Sequence, residues 1–451
     1  MNDFWRKGGM QMAGKRDEWE QDELIRTGRR RKKATAARTS RRRAPDDPAV
    51  RKKRRPPRVS IELDAGEPEV NGYYIAIANR YRWARLLSVI LLVAFLLIML
   101  LFYRENITYN NLMYLIRDLD TGVVSTVGKY ADISYERQYA PSFALFRDRI
   151  AVAGAAGFRL YNASGSKELD YESAYSDPRL VVGNKYALFY DAAGKSYSIY
   201  TTIARVLNSQ AETVIEDAAV ADDGTHALLT GSDESKYLIT VYSSDFKPLA
   251  KYYKDKYVVD MAIDPEGEHM AVASAGAAGA GAYCEIMFCR IGSKETTSVE
   301  LEGTMPLAVR YADDGRLVVV CDNKILFYDG EKQCGSYDIA GAVPVAFDLD
   351  GDFLALSVAK NAVGSENEII LFDTDGNIIY NNIINEKIRM VATDGDRAIY
   401  ILCEDKALKL SLTGGDPVEE KLLGEALDIL PAGGGAVICE DSGTYSLFFG
   451  E

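Results

Sequence analysis

The chain has 451 residues, with 53 Lys or Arg against 66 Asp or Glu and a formal net charge of −13. The charge is unevenly distributed: residues 1–85 hold 23 basic and 12 acidic residues, and the remainder holds 30 basic and 54 acidic residues. Only two histidines are present, which excludes His-rich zinc sites and disfavours histidine-dependent catalytic triads. They are His226 and His269, at equivalent positions in adjacent repeat units, so we expect them to be structural residues on separate blades.

Residues 1–70 have the composition of a disordered basic tail. Large apolar residues are few, and three basic runs lie at Arg29–Lys33, Arg41–Arg43 and Arg51–Arg55. The runs are compatible with a signal that merely keeps the tail in the cytoplasm, with attraction to anionic lipid, or with binding to an acidic partner or nucleic acid. Aromatic residues are not interleaved with the basic ones, so we expect no specific nucleic-acid recognition.

Residues 71–104 comprise a juxtamembrane segment and a predicted transmembrane helix with its core at Leu86–Tyr103. This run carries no charge, and with Trp83 and Ala84 it reaches the about 20 residues that span ~30 Å of hydrocarbon. Basic residues near such a helix are retained on the cytoplasmic side. The sequence therefore predicts a single-pass signal-anchor protein of the cell membrane, held in the lipid bilayer by Leu86–Tyr103. Its N-terminus is expected in the cytoplasm and its C-terminal domain outside it.

Residues 105–451 are predicted to form an all-β repeat domain. Six stretches share a turn that ends in glycine and is followed by an apolar strand, and their glycines are Gly224, Gly267, Gly315, Gly351, Gly395 and Gly434. Their mean spacing of 42 residues matches a β-propeller blade of four short strands. Two weaker copies, at 143–165 and 179–200, bring the number of units to eight. The predicted fold is an eight-bladed β-propeller, with seven blades as the alternative.

The eighth unit contains only three strands before Glu451. Residues 112–127 are strand-like and belong to no unit of their own, so we expect them to supply the missing outer strand. Such closure would hide both edges of the ring.

All six cysteines lie in the predicted propeller. Cys321, Cys403 and Cys439 occupy one repeat position in different units, which favours small buried apolar residues over disulfide partners. Cys284 and Cys289 are five residues apart on one strand, so they point to opposite faces and cannot pair with each other there.

Two acidic turns are weak candidates for a calcium site. One holds Asp348, Asp350 and Asp352, and the other holds Asp373 and Asp375. Oxygen ligands at alternate positions suit calcium, but the bidentate Glu at the twelfth position of a calcium loop is missing from both. Asp-Gly pairs are also ordinary turn formers, so the turn interpretation is favoured.

No catalytic motif is apparent, and we predict that the protein is not an enzyme and has no cofactor. The sequence contains no G-x-S-x-G, P-loop or H-E-x-x-H pattern. A carboxylate pair for glycoside hydrolysis stays open, because acids from different blades would show no sequence spacing.

Turns such as Asp264–Gly267 and Asp313–Gly315, each followed by an apolar strand, resemble those of WD-like and quinoprotein-like propellers. All three tryptophans lie within residues 1–85, so the tryptophan motifs of both classes are absent and no quinone is implied. The layout of basic tail, single helix and acidic propeller, with stretches such as Leu115–Asp120, resembles an uncharacterised clostridial-type family of single-pass membrane proteins with an extracytoplasmic β-propeller. The resemblance implies a propeller and no activity.

These features favour a protein-interaction scaffold or adaptor in the cell envelope, because catalytic residue types are scarce and a propeller offers a broad, rigid rim. Its partner would be an envelope protein that the sequence does not identify. The alternative is a ligand- or glycan-binding module, in one form calcium-dependent, that signals through the basic cytoplasmic tail.

Overall fold

The structure is a computed structural model, and the chain divides after Ala94 into two units. It describes residues 72–102, 130–137, 141–278, 281–339, 341–395 and 397–449. The predicted basic tail, residues 1–70, lies outside the described residues. The segment 112–127, which was expected to close the ring, also lies outside them.

Helix α1 spans Gly72–Phe102. The apolar run that begins at Leu86 is therefore helical as far as Phe102, the last described residue of the helix. Its hydroxyl at Ser88 donates to the Ala84 carbonyl at 2.9 Å, so this polar group is satisfied within the helix. No described helix, however, combines the length and the apolar character that crossing a membrane requires.

Eight four-stranded antiparallel sheets follow, and each is one blade of a β-propeller. The strands of blades 1 to 4 are, in chain order, β2 Ser142–Phe146, β3 Arg149–Gly154, β4 Gly157–Tyr161 and β5 Lys167–Glu172; β6 Pro178–Val182, β7 Ala187–Asp191, β8 Ser196–Tyr200 and β9 Arg205–Gln210; β10 Ile215–Val220, β11 His226–Gly231, β12 Tyr237–Tyr242 and β13 Pro248–Lys254; β14 Tyr257–Ile263, β15 His269–Ala278, β16 Gly281–Arg290 and β17 Thr296–Glu302.

The strands of blades 5 to 8 are β18 Pro306–Tyr311, β19 Leu317–Cys321, β20 Lys324–Asp329 and β21 Lys332–Asp338; β22 Val343–Asp350, β23 Phe353–Ala359, β24 Asn367–Asp373 and β25 Ile378–Ile384; β26 Met390–Thr393, β27 Ala398–Leu402, β28 Lys406–Ser411 and β29 Val418–Lys421; β30 Asp428–Ala432, β31 Gly435–Cys439, β32 Gly443–Leu447 and, as the fourth strand, β1 Ile133–Ser134. The predicted eight blades are thus confirmed.

The outer strand of blade 8 comes from the N-terminal side of the propeller. Ile133 of β1 pairs with Thr444 of β32, and Ser134 pairs with Gly443. The Tyr135 hydroxyl then donates to the Glu440 carbonyl at 2.7 Å. Ring closure by an N-terminal strand is confirmed, but the strand described lies at Ile133–Ser134 rather than within residues 112–127.

The core lies between blades, because the second and third strands are covered by neighbouring blades on both sides. All five residues of β19 are buried, which agrees with the consecutive apolar residues of its sequence. Between blades 5 and 6, for example, Val320 and Phe327 pack with Leu356 and Phe372. Each fully buried side chain of this kind contributes ~1.5–3 kcal/mol. The turn glycines that marked the repeat all have positive φ, as tight turns require: Gly224, Gly267, Gly315, Gly351, Gly395 and Gly434.

The six cysteines are unpaired, and all except Cys334 are buried. Cys284 packs in the layer between blades 4 and 5, whereas Cys289 packs in the layer between blades 3 and 4. The prediction that these two residues point to opposite faces is confirmed.

The antiparallel order gives the ring two different faces. We call the face on which the inner strands begin the top face, and the face on which they end the bottom face. Blade-to-blade connections and the hairpins between second and third strands lie on top. The hairpins between first and second strands lie on the bottom. The inner strands, β2, β6, β10, β14, β18, β22, β26 and β30, surround the central channel.

Candidate functional site

The inner strands of blades 3 to 6 begin with the same irregularity. In each strand, one extra residue interrupts the pairing with the second strand, after the first paired residue in blades 3 and 5 and after the second in blades 4 and 6. A bulge of this kind bends the strand and re-aims the side chains around it. The bulged residues are Glu216, Val259, Leu307 and Val345.

Apolar side chains at the bulges, and two residues before them, are exposed. We call this set the apolar arc: Val214, Tyr257, Val259, Met305, Leu307, Val343 and Val345. Exposed fractions run from 38% for Met305 to 65% for Val343. Because equivalent positions recur on four neighbouring blades at the start of the inner strands, the arc follows one side of the channel mouth on the top face. Apolar surface grouped in this way marks an interaction site.

Basic residues lie beside both ends of the arc. On blade 7, Lys387 and Arg389 are exposed just before Met390, the first residue of β26. Near the other end, the Lys236 ammonium lies over the ring of Tyr257. The arc is therefore an apolar surface with positive charge at its blade 7 edge, and its blade 3 end holds both Lys236 and the exposed acidic bulge residue Glu216.

Several of the inner strands that surround the channel carry aspartates. Asp217 and Asp260 occupy the same repeat position, directly after the bulges of blades 3 and 4. Asp260 Oδ2 accepts the Val309 N–H of blade 5 at 2.8 Å and forms an ion pair with Arg310. These bonds tie the inner strands of two blades together, so Asp260 has a structural role.

Three aspartates of the inner strands, Asp217, Asp348 and Asp428, have raised pKa values, chiefly because they are buried. Burial and the neighbouring Asp260 raise the pKa of Asp217 to about 7. Burial, with a contribution from Asp350, raises the pKa of Asp348 to about 6. Burial and Asp348 raise the pKa of Asp428 to about 7. Between about pH 4 and pH 6, these groups hold protons that free aspartates have released.

The bottom mouth of the channel is acidic. Burial raises the pKa of Asp313, and the negative charge of Asp222 in blade 3 raises it further, whereas a hydrogen bond from Asn184 lowers it. Burial also raises the pKa of Asp350, with contributions from Asp394 and Asp313. Turns of four blades therefore bring carboxylates within electrostatic range of one another. Among the described residues, however, no group of three or more His, Cys, Asp or Glu side chains could hold a metal ion.

The first acidic turn predicted from sequence lies at the end of β22, and its carboxylates bind protein donors. Asp348 Oδ2 accepts the Thr393 N–H of blade 7 at 2.9 Å. Asp352 Oδ1 accepts the Asp314 N–H of blade 5 at 2.9 Å. Both bonds connect neighbouring blades, which is the behaviour expected of structural residues.

The second acidic turn follows β24 on the same face of blade 6. Asp373 accepts hydrogen bonds from the Asn377 backbone at 2.8 Å and from its side chain at 2.9 Å, which closes the turn. Asp375 Oδ1 lies 2.7 Å from Arg316 Nη1 of blade 5. For these five aspartates, the turn interpretation stays the prediction and calcium binding stays its weaker alternative.

The two histidines lie on separate blades, as their repeat positions predicted. His226 is buried, stacks on Tyr242 with ring centroids 4.8 Å apart, and lies 3.1 Å from the Gly224 carbonyl. Burial lowers its pKa to about 4. His269 Nδ1 lies 2.9 Å from Asp264 Oδ2 and so forms part of the turn before β15.

The sequence interpretation missed the apolar arc. Its signal was an apolar pair two residues apart at the inner-strand starts of blades 4 to 6, as in Tyr257 and Val259 or Val343 and Val345. Alternation of this kind also describes ordinary half-buried strands. Only the bulges decide that these side chains are exposed at the channel mouth.

The fold and its channel define an eight-bladed β-propeller protein with an apolar arc on one face. A family model, described as a family of unknown function (DUF5711), matches residues 125–444, and the chain belongs to that family. No curated protein matches the sequence. Among solved structures, a eukaryotic initiation factor is similar, with 13% identity, a TM-score of 0.48, and coverage of 72% of this chain and 89% of that one. Kluyveromyces lactis Hsv2 is also similar, with 10% identity, a TM-score of 0.43, and coverage of 62% and 93%.

Proposed function

We propose that this protein is a membrane-anchored interaction scaffold whose propeller binds a protein partner through the apolar arc. The observation that supports this proposal is the recurrence of exposed apolar residues on four adjacent blades, from Val214 to Val345. Isolated exposed apolar residues are common on proteins, but a grouped set is not. The proposed role is binding and not catalysis.

We propose further that Leu86–Tyr103 anchors the chain in the cell membrane, with the N-terminus in the cytoplasm and the propeller in the cell envelope. The support is the uncharged apolar run and the contrast between a basic segment before it and an acidic segment after it. The basic tail then lies beside the inner leaflet, where anionic lipid or an acidic partner would be available to it.

The arc and its edges suggest the chemistry of the partner. A segment with several apolar side chains would cover Leu307, Val343 and their neighbours. A carboxylate at one end of that segment would meet Lys387 and Arg389. Apolar contacts would supply most of the affinity, and the charges would set the orientation of the partner.

Crosslinking in intact cells tests this function. The full chain carries an affinity tag at its C-terminus, and the co-purified proteins are compared between wild type and Leu307→Glu. We expect wild type to recover a defined set of envelope proteins, and Leu307→Glu to lose it, because a buried charge without a partner opposes docking.

Ile378→Glu is the matched control, since Ile378 is similarly exposed but lies on the outer strand of blade 6 (48% against 44% for Leu307). This variant should recover the same proteins as wild type. Equal recovery by Leu307→Glu and wild type, with both proteins folded and abundant, would contradict docking on the arc.

A second candidate function is a ligand- or glycan-binding module that reports through the basic tail. The observation in its favour is a polar cleft between blades 1 and 2, which is separate from the arc. If truncation of residues 1–70 leaves every phenotype of the protein intact, signalling through the tail is excluded.

A further inference from the structure

A cleft of ≈ 350 Å³ lies between blades 1 and 2, outside the central channel. Its floor is formed by β8 and β9 of blade 2. Residues Glu172–Tyr175, which connect blade 1 to blade 2, cover one side. The volume is at the small end of the range for ligand sites, ~300–1,000 Å³, and suits a single sugar ring.

At the floor of the cleft, blade 2 has a small polar residue where blades 5 and 6 have a large apolar one. In blades 2, 5 and 6, a bulge interrupts the pairing between the third strand and the outer strand. Counted from that bulge, Ser198 of blade 2 is equivalent to Leu326 of blade 5 and to Ile370 of blade 6. Leu326 and Ile370 are buried and pack against the preceding blade. Ser198 leaves that volume unfilled, although it is itself only 2% exposed.

Neutral hydrogen-bonding groups line the floor. Ser198 Oγ donates to Asn208 Oδ1 at 3.0 Å, which leaves the two amide hydrogens of Asn208 for another acceptor. Ser196 and Gln210 form the next pair along the same strands and also line the cleft. Opposite them, Ser173 Oγ is buried and has no hydrogen-bond partner among the described residues. A buried unsatisfied hydroxyl is costly unless a ligand or solvent satisfies it.

Aromatic rings form the remaining wall. Tyr175 lies 4.6 Å from Phe189 between ring centroids, and Tyr200 stacks on Phe158 at 4.1 Å. Burial raises the pKa of both tyrosines, so their hydroxyls stay neutral donors. Tyr175 is half-buried and offers flat apolar surface beside the polar floor, whereas Tyr200 is only 2% exposed and supports the wall from behind.

The charged groups of the cleft are mostly occupied. Asp191 Oδ1 accepts backbone N–H groups of Ser176 and Asp177 at 3.1 and 2.9 Å. The Arg205 guanidinium lies over the Tyr171 ring at 4.8 Å. The exposed Glu172 also lines the cleft and is opposite in charge to Arg205, so together with the hydroxyl, amide and aromatic groups the lining matches a ligand with several hydroxyl groups and no net charge.

We propose that this cleft binds a neutral sugar ring, with Ser173, Ser196 and Asn208 hydrogen-bonding its hydroxyls and Tyr175 contacting its apolar face. This site is independent of the apolar arc and of the protein partner proposed above. Its failure would leave the scaffold function untouched.

Saturation-transfer NMR on the purified full chain tests the proposal. The probes are glucose, galactose and N-acetylglucosamine at millimolar concentration, with glucuronic acid as the charged comparison. The detergent must be zwitterionic and free of sugar headgroups, because a maltoside would compete. We expect a signal from at least one neutral sugar and a weaker one from glucuronic acid.

Ser198→Leu is the decisive variant, since it fills the cleft with the side chain that blade 5 has at this position. It should weaken sugar binding at least about tenfold, the equivalent of ~1.4 kcal/mol. Thr240→Leu changes the same repeat position in blade 3, away from the cleft, and should bind as wild type does. Asn208→Ala, at an exposed position, is the second test if Ser198→Leu does not fold by circular dichroism.

Three results would overturn the proposal. The first is the absence of a signal from all three neutral sugars with folded wild-type protein. The second is binding of glucuronic acid alone, which would assign the cleft to acidic ligands through Arg205. The third is wild-type affinity in folded Ser198→Leu or in Asn208→Ala.

Discussion

At the scale of single residues, blade 3 holds two buried groups whose titrations affect stability in opposite directions. Asp217 has a pKa of about 7 in the folded chain, so between pH 4 and 7 the folded state keeps a proton that the unfolded state has released. Its contribution to stability therefore falls as pH rises through that window. His226 has a folded pKa of about 4, so its contribution is lost as pH falls from about 6.5.

Replacing each group should change the pH dependence with opposite sign. Between pH 4.5 and 6.5, Asp217→Asn should make the free energy of unfolding rise more steeply with pH than in wild type, and His226→Phe should make it rise less steeply. Each change is limited to about 1.4 kcal/mol per pH unit. Urea unfolding at several pH values measures both. The exposed Asp245→Asn is the control, and the same slope in Asp217→Asn as in wild type would contradict the assignment.

At the scale of elements, the short strand β1 closes the ring. Ile133 is buried with Ile150, Val152 and Val437, and so joins blade 1 to blade 8. The Ser446 hydroxyl donates to the Tyr130 carbonyl at 2.7 Å and holds the segment that leads into β1. Two paired residues are few for a strand, so side-chain packing must supply most of the closure energy.

Truncating the closing strand should therefore destabilise the whole propeller. We expect Ile133→Ala to lower the free energy of unfolding by about 3 kcal/mol, as for other buried isoleucines. Ile378→Ala, on an exposed outer-strand position, should change it by less than about 0.5 kcal/mol. Urea unfolding followed by tyrosine fluorescence measures both. Equal stability of the two variants would mean that β1 does not close the ring.

At the scale of the whole molecule, the separation of charge predicts the topology. Residues 1–85 are basic and the rest of the chain is acidic, so the proposed anchor should leave the N-terminus in the cytoplasm. In protoplasts, a protease should remove a tag placed after Glu451, and it should reach a tag before Met1 only after permeabilisation. A cytoplasmic protein serves as the control for lysis.

Deletion of Leu86–Tyr103 extends the same test. Without this run, the chain should leave the membrane fraction, because the apolar area that holds it in the bilayer is gone. Protection of both tags in intact protoplasts, or retention of the deleted chain in the membrane fraction, would contradict the proposed anchor and orientation.

The sequence by itself determined the repeat and the chemistry of each strand. Turn glycines at a mean spacing of 42 residues and runs such as Leu317–Cys321 predicted eight blades, because turn geometry and burial on both faces are local properties. The structural character of His226 also followed from its repeat position. These predictions needed no knowledge of which residues meet across the ring.

Only the tertiary structure decided where the proposed binding surfaces lie. The apolar arc depends on a one-residue bulge in four inner strands, and the cleft depends on Ser198 facing a different blade. The strand that closes the ring pairs Ile133 with Thr444, far along the chain. Such contacts are set by register and by packing between distant segments, and a one-residue shift reverses which side chains are exposed. The spacing of residues in the sequence therefore does not show which of these side chains are exposed.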